Sequence, residues 1–193
     1  MLLGMGQWLN TIGRPDLCYA VSSLGRFGPC PREGHLKLSL HLFDYSKNFP
    51  NRRLVFDSRD INYAHILYDT SKLCPDFLQD YPDAYEEIDK NFPKAFGRTL
   101  QTTICADADH AHDRTTLRSI TGILGYVGRI PVLWISRRQG AIATSTYSAD
   151  FMALRTATEE AISLRYMLRY LGVPIPNDSS SPTGIFGDNF SVI

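Results

Sequence analysis

The chain has 193 residues, of which 44% are hydrophobic and 11% aromatic, and its 20 basic side chains equal its 20 acidic ones. This composition excludes a disordered or low-complexity protein and allows one or two domains with a buried core. No stretch approaches the roughly 18 apolar residues of a membrane helix, and no basic head precedes an apolar run at the start. We therefore expect a cytoplasmic or nuclear protein that is not secreted and has no membrane partner.

Charge and proline content divide the chain into three segments. Residues 1–57 hold seven basic and four acidic side chains, residues 58–99 hold five and eight, and residues 100–193 hold eight of each. The middle segment also loses periodicity. We expect a basic helical segment, an acidic connector that contains prolines, and a second domain.

The first segment shows helical periodicity. It predicts a marginal helix over 1–12, a second helix over 16–27 that Pro15 begins, and a third over 32–47. The short apolar run 54–57 predicts a strand.

From residue 100 the pattern becomes strand, strand, strand, helix, strand, over 100–107, 119–127, 130–137, 145–172 and 183–187. The predicted fold class is therefore α/β, with the strands in one sheet and the long helix packed on it. The helix carries one apolar stripe, made of Leu154, Ala157, Ala161, Leu164, Leu168 and Leu171.

The stretch ICADADHAHD concentrates titratable side chains, and within seven residues it holds Asp107, Asp109, His110, His112 and Asp113. Like charges this close repel one another, so we expect a bound cation, and Mg²⁺ or Mn²⁺ suits carboxylate oxygens. A calcium loop starting at Asp107 is excluded, because Ala111 and His112 stand where it needs an oxygen ligand and a glycine. A DxD glycosyltransferase motif stays open on spacing alone.

Two further aspartates lie where secondary structure is expected to begin or end. Asp150 lies one turn before the apolar stripe of the long helix, and Asp188 follows the last strand. An unpaired carboxylate there would cost several kcal/mol, although an acid in the first turn also interacts favourably with the helix dipole. With Asp107 at the end of the first strand, the three carboxylates would converge at one sheet edge, as in a two-metal phosphodiesterase site.

Five stretches, taken in order, resemble the C-terminal part of a Ty1/copia-type retrotransposon polyprotein: GRPDLCYAVSSLGRF, CPREGHLKLSLHLFDYSKNFPNRRLVFDSRD, DADHAHDRTTLRSITG, SRRQGAIATSTYSADFMALRTATEEA and GDNFSVI. The series covers nearly the whole chain and is far more specific than any single motif. It implies a reverse transcriptase thumb and connection over 1–57, the connector over 58–99, and a ribonuclease H-like domain, truncated at its C-terminus, over 100–193.

The resemblance also implies a mixed sheet with helices packed on it, and magnesium-dependent cleavage of RNA in RNA/DNA hybrids by two ions. The family's catalytic, metal-binding acids fall on Asp107, Asp150 and Asp188. Asp109 and His110 are near neighbours of the site rather than ligands. The implied partners are the hybrid and the remainder of the reverse transcriptase polyprotein.

Five polar side chains are candidate contacts to a nucleic-acid backbone. Arg52 and Arg53 lie in a basic turn, and Arg137, Arg138 and Gln139 lie just before the long helix. For Arg52 and Arg53 a solvent-exposed turn is the simpler explanation, and for the second group solvent-exposed loop charge explains the residues at least as well.

The chain departs from the family pattern in three ways. Asp150 stands where the family has Glu, and the missing methylene draws the carboxylate back by about 1.5 Å. The family's fourth acid is expected beyond Ile193, and no two adjacent aspartates occur, so the polymerase's Asp pair is absent from this chain. Two functions stay open: a ribonuclease H-type hydrolase, and a catalytically inactive relic or nucleic-acid-binding fragment.

Overall fold

The computed structural model describes residues 2–52, 54–57, 59–62, 88–176 and 183–189. Three helices and one 3₁₀ turn come first, followed by three strands, a long helix and a fourth strand. In chain order they are α1 (Leu2–Gly13), the 3₁₀ turn (Pro15–Leu17), α2 (Cys18–Gly25), α3 (Glu33–Asn48), β1 (Thr102–Asp113), β2 (Arg118–Val127), β3 (Ile130–Arg138), α4 (Thr146–Tyr170) and β4 (Gly184–Phe186).

The four strands form one mixed sheet in the order β3-β2-β1-β4. β2 pairs antiparallel with both β1 and β3, whereas β4 pairs parallel with β1. α4 connects β3 to β4, so the chain crosses over the sheet from one edge strand to the other. The predicted α/β fold, with a long helix packed on the sheet, is confirmed, and the arrangement is of the ribonuclease H-like kind.

Small residues let α4 approach the sheet closely. Ala157 and Ala161 pack against Ile104 and Ile123, and Ile104 is fully buried. Burying an aliphatic side chain of this size stabilises the fold by about 1.5–3 kcal/mol. A second cluster, which comprises Val127, Leu164, Leu168 and Ile175, continues the same layer.

The predicted apolar stripe of α4 is wrong at one end. Leu171 is 71% exposed, because the helix already ends at Tyr170. Gly172, with φ +71°, reverses the chain there, and the amide of Val173 donates to the carbonyl of Leu168 at 2.9 Å. These are the features of a Schellman cap. At the other end the buried stripe extends back to Ala149 and Ala153.

The three N-terminal helices form a separate layer, called here the helical front (residues 2–48). Its core consists of Leu17, Val21 and Leu42. α2 is shorter than the predicted helix over 16–27, because Pro15–Leu17 fold as a 3₁₀ turn and regular helix ends at Gly25.

The strand predicted over 54–57 is wrong, because these residues pair with no strand in the part of the chain that the structure describes. Leu54 instead packs over Gly13. A Cβ atom added at Gly13 would lie 3.6 Å from Cδ1 of Leu54. Asp57 forms a 3.5 Å ion pair with Arg129.

The connector is described only in part. Residues 59–62 and 88–99 contain no helix or strand, and 63–87 lie outside the described residues. The predicted division of the chain at 57 and 99 therefore stays a prediction. Within the described ranges, no helix combines the length and the apolarity that a membrane crossing requires.

Polar contacts join the helical front to the open face of the sheet, opposite α4. The indole Nε1 of Trp134 donates to the carbonyl of Asn10 at 3.0 Å. The hydroxyl of Tyr19 lies 2.6 Å from Nε2 of His112. A third contact is the 3.5 Å ion pair between Arg26 and Asp113.

Candidate active site

Asp107 lies in the middle of β1, where it pairs with Gly122 of β2. The prediction that the first strand ends at Asp107 is wrong. The hairpin partner β2 keeps pairing with β1 to Asp109, and after an irregularity Asp113 pairs again with Arg118. The side chain of Asp107 is oriented by a backbone contact, since Oδ1 accepts a 2.7 Å hydrogen bond from the amide of Ala108.

Asp150 lies near the start of α4. Ser145 is the N-cap of this helix, and its side chain accepts from the amide of Ser148 at 3.1 Å. This cap fixes where the helix begins. Asp150 is the fifth residue of α4, beyond the first turn, which contains no acid, so the alternative interpretation of Asp150 as a first-turn acid that interacts with the helix dipole is wrong. One oxygen of Asp150, Oδ2, accepts a 2.7 Å hydrogen bond from Nδ2 of Asn189.

Asp188 is positioned by the parallel strand pair. Cys105 of β1 is opposite Phe186 of β4 in the last residue pair between these strands, and Asp107 and Asp188 each follow that pair by two residues. Both aspartates line the same cleft. Their role as metal-binding acids stays a prediction.

One small cleft has Asp107, Asp150 and Asp188 among its lining residues, and its other lining residues are Ala106, Leu154, Gly187 and Asn189. Asp107 also borders an open groove of about 700 Å³ between α2 and the sheet. Its carboxylate is therefore reachable from solvent, while Asp150 is half-buried.

The cleft has side chains of the type that bind a hard divalent cation, but these side chains are not spaced as a set of metal ligands. Carboxylate oxygens are the ligands that Mg²⁺ prefers. Yet among the residues that the structure describes, no group of three or more His, Cys, Asp or Glu side chains is placed so that it could hold a metal ion. The three aspartates share a cleft without forming a ready ligand set.

The two near neighbours that the resemblance implies have other partners. The carboxylate of Asp109 pairs with Nδ1 of His112. His110 lies near the loop before α4, with Nε2 3.1 Å from the carbonyl of Ala143. Neither side chain lines the cleft with Asp150 and Asp188.

Asp113 is tied into an ion-pair network rather than the cleft. Its Oδ2 accepts from Arg138 at 2.9 Å and lies 3.5 Å from Arg26. Hydrogen bonds from Thr116 and Arg138 hold the pKa of the Asp113 carboxyl well below its usual range.

The five candidate nucleic-acid contacts lie in different environments. Arg52 and Arg137 are exposed, and the Arg52 guanidinium lies 5.6 Å from the centre of the Phe49 ring. Arg138 is bound to Asp113. Gln139 is buried, and Arg53 lies outside the described residues.

Sequence reasoning missed the contact of Asn189 with Asp150, and it predicted a different role, contact with a nucleic-acid backbone, for Gln139. Asn189 donates to Asp150, and Gln139 donates its side-chain amide to the carbonyl of Ala149 at 2.9 Å. The adjacency of Asn189 to Asp188 was the one available signal. No local pattern marks the contact of Gln139.

Comparison with curated proteins finds likeness along almost the whole chain. It is 24% identical over 188 residues, 97% of its length, to "Retrovirus-related Pol polyprotein from transposon RE1" of Arabidopsis thaliana. It is similar to a segment of a retrotransposon Pol polyprotein. The corresponding RE2 polyprotein of the same plant is 23% identical over the same length.

The chain spans 10% of the length of each of these Pol polyproteins. No family model matches it. No solved structure matches it either. The likeness supports the retroelement Pol polyprotein origin that the five ordered stretches indicate.

Proposed function

We propose that this chain is a segment of a Ty1/copia-type Pol polyprotein whose residues 100–193 form a ribonuclease H-type hydrolase domain. The substrate is the RNA strand of an RNA/DNA hybrid. One observation carries the proposal: β1, the N-terminal part of α4 and the segment after β4 each contribute one aspartate to the lining of the same cleft. Residues 1–57 then correspond to the thumb and connection of a reverse transcriptase, whose remainder is the natural partner.

Asp107, Asp150 and Asp188 would hold the two Mg²⁺ ions of this reaction, and Mn²⁺ suits the same oxygen ligands. When bound, such ions activate a water and stabilise the leaving oxygen of the scissile phosphate. The chain's own groups orient the acids. The amide of Ala108 restrains Asp107, and Asn189 restrains Asp150 through its 2.7 Å hydrogen bond.

Contacts to the hybrid backbone are expected from exposed guanidinium groups. Arg137 at the end of β3 is exposed in the described structure, as is Arg52 beyond α3. Each group that neutralises a phosphate makes binding weaker at high salt. Arg138 is engaged with Asp113 at 2.9 Å, so Arg137 is the stronger candidate of the pair.

The direct test is cleavage of a labelled RNA/DNA hybrid in Mg²⁺ by the whole chain. We expect Asp107→Asn to abolish cleavage, because it removes the acid of one of the three aspartates that line the cleft. Asp44→Asn is the matched control, since Asp44 is an exposed acid on α3. It should leave the rate unchanged. Equal cleavage by wild type and Asp107→Asn would refute the proposal.

A second function, hybrid binding without cleavage, is favoured by the lack of a ready three-ligand group in the described ranges. Fluorescence anisotropy with the same hybrid, without divalent cation, tests it. Background cleavage by both wild type and Asp107→Asn, with intact hybrid binding, would select this alternative.

Lengthening the acid on α4 distinguishes the two functions further. If the spacing limits a hydrolase, Asp150→Glu should raise the cleavage rate, since the added methylene advances the carboxylate by about 1.5 Å. Asp109→Glu is the control, because Asp109 is paired with His112 outside the cleft. A rate that stays at background in Asp150→Glu would favour the non-catalytic function.

A further inference from the structure

Gln139 links the end of β3 to the start of α4. It is only 6% exposed. Its backbone amide donates to the carbonyl of Ser119 at 2.8 Å. Its side-chain Nε2 donates both to Oγ1 of Thr121 at 3.0 Å and to the carbonyl of Ala149 at 2.9 Å. One side chain therefore joins β2, β3 and the first turn of α4.

The contact with Ala149 is adjacent to the cleft, because Ala149 directly precedes Asp150. Ala149 is fully buried against the sheet. The residues that connect Gln139 to the N-cap of α4 are mostly exposed, with Ala143 as the buried exception. In the described structure, Gln139 is therefore a buried hydrogen-bonding restraint that fixes the start of α4 relative to the strands.

The oxygen of the Gln139 side-chain amide, unlike its nitrogen, forms no hydrogen bond within the described residues. Oε1 of Gln139 is buried and has no hydrogen-bond partner in the part of the chain that the structure describes. Leaving a buried acceptor unpaired is unfavourable, so packing alone does not account for a glutamine at this position. Its two donor contacts account for it better.

We propose that Gln139 is a positioning residue that sets the place of Asp150 relative to Asp107 and Asp188. This rests on the proposed function, because it assigns those three carboxylates a common task. Groups that orient metal-binding side chains without touching the metal usually affect affinity by about 10–100-fold when removed. Gln139 acts less directly, through the backbone of Ala149, so we expect a loss of metal affinity near the lower end of this range.

The test compares Gln139→Met, which keeps the length and removes both donors, with Thr121→Val. Thr121→Val removes the other acceptor of the same buried amide but leaves the contact with Ala149. Binding of Mn²⁺ is followed by the electron paramagnetic resonance signal of the free ion. Amide hydrogen exchange at residues 149–151 is measured on the same proteins without metal.

We expect Gln139→Met to weaken Mn²⁺ binding about tenfold and to accelerate exchange at 149–151, with Thr121→Val close to wild type. In hybrid cleavage, kcat should fall while KM for the hybrid stays unchanged. A merely structural role would shift both variants together. Gln139→Asn, which keeps the amide but shortens its reach, supplies a milder loss of the same contact should Gln139→Met fail to fold.

Failure of this inference and of the proposed function give different results. Unchanged exchange at 149–151 in Gln139→Met or Gln139→Asn overturns the positioning role, whether or not the protein binds metal. Wild-type Mn²⁺ affinity in those variants, with affinity lost in Asp150→Asn, also overturns it while leaving the hydrolase proposal intact. Mn²⁺ binding that Asp150→Asn does not weaken contradicts the proposed site itself.

Discussion

The helical front and the sheet unit (residues 102–189) differ in how many apolar side chains they bury. The sheet unit buries two apolar clusters between α4 and the strands. The helical front buries only Leu17, Val21 and Leu42, while Trp8 and Leu38 are 62% and 56% exposed. The contrast indicates that the sheet unit supplies most of the stability and that the front depends on a neighbouring surface.

The contacts between the two regions described here are polar, whereas the core of each region is apolar. They include the Trp134–Asn10 and Tyr19–His112 hydrogen bonds and the Arg26–Asp113 ion pair. Net contributions of such polar contacts are near 1 kcal/mol each or smaller. We therefore expect the front to separate from the sheet before the sheet itself unfolds.

The largest expected effect comes from the sheet core. Ile104→Ala should lower the free energy of unfolding of the sheet unit by about 2–5 kcal/mol, because Ile104 is fully buried and the vacated volume is enclosed. Urea titration followed by amide hydrogen exchange in β1 and β2 measures this. Leu42→Ala, the matching truncation in the front, should leave the transition of these strands in place. Equal shifts for both variants would show one cooperative unit instead of two.

A smaller effect is expected at the junction. Trp134→Phe keeps an aromatic ring but removes the donor to Asn10, and should weaken docking of the front by about 1 kcal/mol. Because the chain has two tryptophans, Trp8 then reports the front alone. Trp8→Phe, at a 62% exposed position, is the control and should change stability little. An unchanged front transition in Trp134→Phe would contradict the role of this hydrogen bond.

The smallest effect depends on pH. The pKa of Asp113 is lowered in the folded chain by Thr116 and Arg138, so its contribution is present above the unfolded pKa of about 4 and is lost as pH falls through the folded value. Asp113→Asn should therefore lower Tm slightly at pH 7, and the difference should shrink in acid. Glu33→Gln, at an exposed end of α3, is the control. A difference that grows in acid would reverse this assignment.

Local patterns in the sequence were enough to predict most elements of the fold. The alternation in 119–127 and 130–137 predicted β2 and β3 to within one residue at each end. The run at 54–57 failed because β propensity needs a partner edge, and none of the described strands offers one. Local apolarity alone does not distinguish these cases.

The site was predictable only in part, for a physical reason. The convergence of Asp107, Asp150 and Asp188 was predicted from one sheet, and all three residues line one cleft. Among the described residues they do not form a group that could hold a metal ion, so the metal site stays a prediction. The contacts of Asn189 and Gln139 depend on which side chains meet across α4 and the strands. These contacts are determined by tertiary packing, and the periodicity of the sequence does not predict them.

The short parallel pairing of β4 has a consequence for how the cleft arises in time. Only three residue pairs, from Thr103–Gly184 to Cys105–Phe186, hold β4 beside β1. Contacts between such distant parts of a chain form late, since the intervening loop must close first. During synthesis, Asp107 and Asp150 are therefore present before β4 has docked against β1, and the cleft is complete only once Asp188 and Asn189 have followed.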